Sequence, residues 1–160
     1  MIQFRYMNLT IRKATIKDLD SILELSDQLL QFHNQLDSYY TIYSKYEDHR
    51  EYYQEQLTKK DTLYIVAEMD GNIVGFASCY IISIPKTKAP KIGVLVANFV
   101  QKEFRGKGVG TKLYNFRMNW FKKQKVSFVE MNVDARNKKA LKLWKKFCFE
   151  DYQIKLKKKI

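Results

Sequence analysis

Proline is almost absent from this chain: two residues in 160, both inside the segment Ser83 to Pro90. Glycine is nearly as scarce, and half of its six occurrences fall at Gly106, Gly108 and Gly110. No stretch therefore reads as a flexible or proline-rich linker, and the length fits one domain that can bury a core without staples. The two cysteines, Cys79 and Cys148, lack CxxC spacing and sit among apolar residues, so both are expected to be buried thiols in a reducing cytosol. Two histidines, His33 and His49, are too few for a histidine-rich metal site, and no metal is expected. No apolar run approaches the ~18 residues of a membrane span. Met1 to Tyr6 is too short and too soon polar for a secretory signal, so a cytoplasmic location and no membrane partner are expected. Met7 opens a segment that reads like a natural start, which makes residues 1–6 an extension and residues 7–160 the domain.

Acidic charge is missing from one half. Residues 101–160 hold 18 Lys/Arg against 5 Asp/Glu, a balance of +13, whereas residues 1–100 balance at −1. The segment Asp18 to Asp61 alone carries 10 acids and 4 bases. The C-terminal part should attract a polyanion, either a nucleic acid or a phosphorylated cofactor, and the N-terminal helices should not.

The periodicities predict an alternating order. Leu9 to Ala14 reads as a strand. Thr15-Ile16-Lys17-Asp18 has the spacing of a capping box, with Asp in place of Glu. A helix follows, with Leu19, Ile22, Leu23, Leu29 and Leu30 on one face. Asp37 to Lys45 is aromatic and irregular, and Tyr46 to Lys59 reads as a second, polar helix. Leu63 to Glu68 and Ile73 to Ile82 read as strands joined by the turn signal Asp70-Gly71. Ile92 to Val100 is almost wholly apolar, as in a strand covered on both faces. A helix is expected from about Thr111 to Lys123, with Leu113, Phe116 and Trp120 inward. A strand at Val126 to Asp134, a helix at Asn137 to Phe147 and a final strand at Cys148 to Leu156 complete the chain. The order β-α-α-β-β-β-α-β-α-β is that of a single-domain mixed α/β fold.

The densest chemical signal is Arg105-Gly106-Lys107-Gly108-Val109-Gly110, between the apolar strand and the next helix. Glycines let the main chain turn tightly and approach a ligand without Cβ clashes. Unpaired N–H groups and the dipole at the helix start then make an anion site. Lys102, Arg105, Lys107 and Lys112 add charge around it. The spacing is not that of a P-loop, since Gln101 stands five before Gly106 and Val109-Gly110 follow where Ser/Thr should be, and Thr111 replaces the third glycine of a dinucleotide fingerprint. A phosphate or pyrophosphate is the simplest occupant.

At these residues the sequence resembles the GNAT superfamily of N-acetyltransferases. The family motif R/Q-x-x-G-x-G/A is present as Arg105, Gly108 and Gly110. Val133 and Asn137 fit its later V-x-x-x-N, and Ala140, Trp144 and Cys148-Phe149 stand where it has A-x-x-x-Y and a Gly-Phe pair. The resemblance implies acetyl-CoA as co-substrate and a GNAT-like mixed sheet with a splayed central strand pair. It implies that main-chain amides from Arg105 through Gly106, Lys107, Gly108, Val109 and Gly110 to Thr111 hold the CoA pyrophosphate. It puts Phe99 and Val100 along the pantetheine arm, and Asn137, Ala140 and Trp144 on the cofactor side. A helix cap is the alternative role for Asn137, and core packing the alternative for Trp144.

Two departures matter. The family's tyrosine, often the acid that reprotonates the leaving thiolate, is Trp144, whose indole N–H has no acidity near pH 7. Cys148 replaces a glycine. The general base is open as well: Glu130, on the strand face opposite Val129, Met131 and Val133, is the candidate, with an ordinary surface carboxylate as the alternative. The acid-rich segment lies where the family builds its acceptor site, so a cationic amine (polyamine, lysine or peptide amine, amino sugar) is expected, with Tyr39, Tyr40, Tyr43 and Tyr46 available for cation–π contacts. The resemblance leaves room for a homodimer. Two rivals stand beside it. One is a catalytically silent domain that binds acyl-CoA. The other is a basic nucleic-acid-binding module, against which no RNP-like or helix-turn-helix pattern is found.

Overall fold

The computed structural model describes residues 8–37 and 49–160. Within them the order is β1 (Leu9–Lys13), α1 (Leu19–Leu36), α2 (Arg50–Thr58), β2 (Thr62–Met69), β3 (Asn72–Ser83), β4 (Lys91–Val100), α3 (Val109–Lys123), β5 (Phe128–Met131) and α4 (Lys138–Lys146). One sheet runs β1-β2-β3-β4-β5. The first three pairings are antiparallel, and β4 and β5 are parallel. The mixed α/β domain expected from the sequence is thus present. The extension at residues 1–6 and the aromatic run Tyr39, Tyr40, Tyr43 and Tyr46 lie outside the described residues.

Alternation along the strands splits the core into two layers. Leu63, Ile65, Ala67, Val74, Ala77, Cys79 and Leu95 pack against α3 and α4. Tyr64, Val66, Phe76 and Phe99 pack on the other face against α1 and α2. Two local signals hold. The capping box at Thr15 and Asp18 forms, ahead of a short 3₁₀ turn over Ile16–Asp18 that leads into α1. Asp70 and Gly71 both take positive φ, 50° and 83°, as a tight hairpin requires.

Three expectations fail. The final strand is absent: residues 150–160 carry no regular structure, and Tyr152, Ile154 and Leu156 are all exposed. A strand is stabilised by its neighbours, and among the described residues β5 pairs only with β4. The tail is instead tied by the exposed ion pairs Lys145–Asp151 at 2.7 Å and Lys157–Asp37 at 2.5 Å. The second failure is β5, only four residues long where Val126 to Asp134 was expected; the start of the expected helix Tyr46 to Lys59 lies outside the described residues, within which α2 runs from Arg50.

The third failure is Cys148, which is exposed while Cys79 is buried. Cys148 follows α4 with φ 62°. Its N–H donates to the Lys145 carbonyl at 3.0 Å, and the Phe149 N–H to the Trp144 carbonyl at 3.2 Å. This pair of bonds is a Schellman close, whose left-handed residue is best a glycine. Cys148→Gly should therefore raise stability by about 1 kcal/mol, read as a higher melting temperature. Burial pushes the Cys79 thiol up to about 12, so it stays protonated and inert.

Candidate active site

β4 is paired with β3 along nearly its full length, from Lys91 to Val100. With β5 it pairs only from Ile92 to Leu95. Beyond Leu95 no strand among the described residues pairs with the edge of β4 that faced β5, over five residues or about 16 Å of extended chain. Such an edge offers N–H and C=O groups to any ligand that carries amides. A bulge marks the parting point: Ala77 pairs with Asn98 and Cys79 with Leu95, so Ser78 faces two residues, Val96 and Ala97.

The open edge leads straight into the glycine turn. A 3₁₀ turn, Lys102–Phe104, is followed by Gly106 at φ 74° and Gly108 at φ 80°, and α3 starts at Val109. The first intrahelical bond runs from the Lys112 N–H to the Gly108 carbonyl. The N–H groups of Val109, Gly110 and Thr111 therefore have no partner within the helix. A Cβ built on Gly106, Gly108 or Gly110 would meet no atom within 4 Å. The turn is thus a cradle with space in front of it, and its donors fit a diphosphate.

The side chains expected around it are partly committed elsewhere. The Arg105 Nε donates to the Val100 carbonyl at 2.8 Å, and its guanidinium lies 5.6 Å from the centre of the Phe99 ring. Lys107 lies over Phe104 at 5.4 Å. Phe99 points its ring into the α1 side of the core, so only its main chain can face the open edge. Asn137 caps α4 by accepting the Ala140 N–H at 3.0 Å. Trp144 is buried against Tyr114, Phe147 and Phe149. Ala140 is partly buried and packs on the same cluster. Glu130 is half-buried on β5 and paired in register with Val94, one residue before β4 and β5 part.

Sequence reasoning missed a polar chain that reaches the bulge from both faces of the sheet. On the α3 side, Arg117 is fully buried and bonded to the carbonyls of Ser78 and Ala97 and to Asn98. On the α1 side, the Ala97 N–H donates to Ser78 Oγ at 3.3 Å. Tyr64, in register with Ser78 across β2 and β3, is buried on the α1 side, and burial holds its hydroxyl well above its ordinary pKa. Tyr64 meets Tyr53 edge-on at 5.9 Å, and the Tyr53 hydroxyl is bonded to Ser26. Tyr53, Ser26, Asp27, His49 and Tyr52 line a cavity of about 100 Å³ between α1 and α2. Burial raises the Asp27 carboxyl. A charged residue interrupting the apolar stripe of α3 was the available signal for Arg117. Among the described residues no cluster of three potential metal ligands occurs, and no helix is long and apolar enough to cross a membrane.

A parallel strand pair that parts and runs into a turn of helix-start amides suits a ligand with an amide-bearing arm and a phosphate end, and comparison with known proteins identifies the family. Residues 29–149 match the model of the acetyltransferase (GNAT) family, and the chain belongs to that family. It is 33% identical over 148 residues to an uncharacterized N-acetyltransferase of Methanocaldococcus jannaschii, matching 91% of this chain and 62% of that protein. It therefore spans less than two thirds of that relative's length. It is 28% identical over 134 residues to an uncharacterized N-acetyltransferase of Archaeoglobus fulgidus, covering 84% of this chain and 88% of that one. Among solved structures, the aminoglycoside N-acetyltransferase AAC(6')-Iy in complex with CoA superposes with a TM-score of 0.80 over 99% of each chain. At 20% identity that likeness is one of fold.

Proposed function

We propose that this chain is an acetyl-CoA-dependent N-acyltransferase acting on a cationic amine. The observation that carries the reading is the continuity of the open β4 edge, Val96 to Val100, with the glycine cradle at Gly106–Thr111. Together they suit an amide-bearing arm that ends in a diphosphate. In the reaction the ammonium first gives one proton to a base, its nitrogen bonds to the thioester carbonyl carbon and the C–S bond breaks; the nitrogen then loses a second proton, keeps the third as the amide N–H, and the leaving thiolate takes up one proton. The cradle amides bind and orient, and the main chain of Phe99 and Val100 flanks the arm. Trp144 cannot supply the proton, so water or another hydroxyl serves a leaving group that is already good.

The acceptor side is read from charge. The α1–α2 region is acidic, and its cavity brings Asp27 together with the rings of Tyr52 and Tyr53. Such a site favours an ammonium group. The similar fold of an aminoglycoside N-acetyltransferase supports the same class, because aminoglycosides are polyamines. The test is release of free thiol from acetyl-CoA across a panel of amines. Polyamines, basic peptides and amino sugars should lead, and a panel led by neutral or anionic amines overturns the cationic assignment. Tight CoA binding with no thiol release from any amine would favour the silent acyl-CoA-binding reading that Trp144 keeps open.

Glu130 is proposed as the general base, because it stands half-buried beside the opening of the groove. As a hypothesis, Glu130→Gln lowers kcat by about a hundredfold at neutral pH while the KM for acetyl-CoA stays within about threefold. Unchanged pH–rate profiles would remove Glu130 from the mechanism.

A further inference from the structure

We propose that Arg117 is a positioning residue for acyl transfer, holding the bulge of β4 open from behind the sheet at the end of the groove away from the phosphate cradle. The proposal rests on the acyltransferase reading above and adds to it a residue that touches neither substrate.

Arg117 sits on the inward stripe of α3 between Leu113 and Phe121 and is 0% exposed. Its bonds go to oxygens of neutral groups: Asn98 Oδ1 at 2.7 Å, the Ala97 carbonyl at 3.1 Å, the Ser78 carbonyl at 3.3 Å and the Leu113 carbonyl at 3.4 Å. None of these bonds reaches a carboxylate. Desolvation lowers the guanidinium to about 10, so it remains charged at neutral pH. A buried cation satisfied only by carbonyls is costly, and a methionine of similar volume would fill the space without that cost. Stability alone does not account for an arginine here.

Its partners give the reason. Three of the four acceptors belong to the bulge, one on β3 and two on β4. At a bulge the ladder fails, and buried carbonyls lose their partners. Nη1 replaces those partners on both strands at once by donating to the Ser78 and Ala97 carbonyls, Nη2 is held by the Asn98 side-chain oxygen, and Ser78 Oγ takes the Ala97 N–H. Remove the fork and the strands must leave carbonyls unsatisfied or slip toward regular register, which would remove the bulge. The bulge lies directly after Leu95, the last residue of β4 paired to β5. Its outer residue, Val96, is 61% exposed although it lies in mid-strand. All peptide bonds in the described residues are trans. The Ala97 carbonyl that faces Arg117 therefore sends the Asn98 N–H the opposite way. A charged donor on that carbonyl also strengthens the N–H of the same peptide group as a donor. The same helix that starts at the phosphate cradle thus fixes the main chain two turns further along.

The experiment compares Arg117→Met and Arg117→Lys with the parent chain. Amide hydrogen exchange across 95–100, CoA affinity by calorimetry and kcat and KM for acetyl-CoA are measured on each. For Arg117→Met, exchange at 95–100 should rise about tenfold or more. The kcat should fall about thirtyfold or more, while the CoA dissociation constant stays within about threefold because the cradle is untouched. Arg117→Lys keeps the charge without the fork and should show the same kcat-selective loss. Unchanged exchange, an unchanged kcat, or a parallel loss of CoA affinity and kcat overturns the proposal. Should Arg117→Met fail to fold, Asn98→Ala removes the shortest bond and must show the same selective fall, or the proposal fails. Failure of the acyltransferase reading appears in the parent, which would then release no thiol. Failure of this one appears only in the variants, and the exchange measurement tests the bulge in either case.

Discussion

Gly108→Val weakens CoA binding by about a hundredfold or more while leaving the chain folded. Two features of the position combine. Its φ of 80° lies where a β-branched residue is strained by about 1–2 kcal/mol. Its missing Cβ faces open space, so no neighbouring protein atom is struck. That same space is where a diphosphate must come to reach the N–H groups of Val109, Gly110 and Thr111. Losing two charge-assisted bonds at about 1.5 kcal/mol each accounts for the hundredfold. The control is Gly71, at φ 83° in the β2–β3 turn, which also meets nothing within 4 Å. Gly71→Val should carry the same strain and bind CoA as the parent does. Calorimetry of CoA on both variants separates the cradle from the backbone cost. Equal affinities in the two would mean that the turn holds no phosphate.

What was legible in the sequence follows from which interactions are local. The capping box, the Asp70-Gly71 hairpin and the glycine turn each depend on a few consecutive residues, and each formed as spaced. The two-layer core followed from strand alternation. The tail did not. Tyr152, Ile154 and Leu156 alternate as a strand should, but alternation states only that one face could be buried. A neighbouring strand must then be there to pair, and β5 is not paired with them. On α3 the apolar residues suggested Leu113, Phe116 and Trp120 as the inward set. The buried stripe is Val109, Leu113, Arg117 and Phe121, because a charged residue occupies the fourth-residue position. That arginine is intelligible only once the bulge supplies its acceptors, and a register shift between strands leaves no mark in either strand's composition. Asn137 had two open roles, and the geometry commits its side-chain oxygen to the cap.

Asp18→Ala should cost about 3 kcal/mol at neutral pH. Asp18 is 6% exposed and fastens β1 to the start of α1. Both of its oxygens accept from Arg12 at 2.8 Å, and one also accepts from the Thr15 N–H at 2.8 Å and the Thr15 hydroxyl at 3.0 Å. Alanine removes the cap and leaves Arg12, itself only partly buried, with Glu68 as its remaining carboxylate partner at 2.9 Å. The hydrogen bonds from Arg12 hold the carboxyl down to about 2, against an ordinary 3.8. The unfolded chain therefore takes up this proton first as the pH falls. The contribution of the charge, about 2 kcal/mol, is complete above about pH 5 and is lost progressively as the pH falls from there through about 2. Asp18→Asn, which keeps the shape without the charge, should converge on the parent's stability in acid. Urea denaturation of parent and Asp18→Asn at pH 7 and at pH 2.5 reads the difference. A gap between the two that stays constant with pH would mean that the charge on Asp18 does not hold the β1–α1 junction.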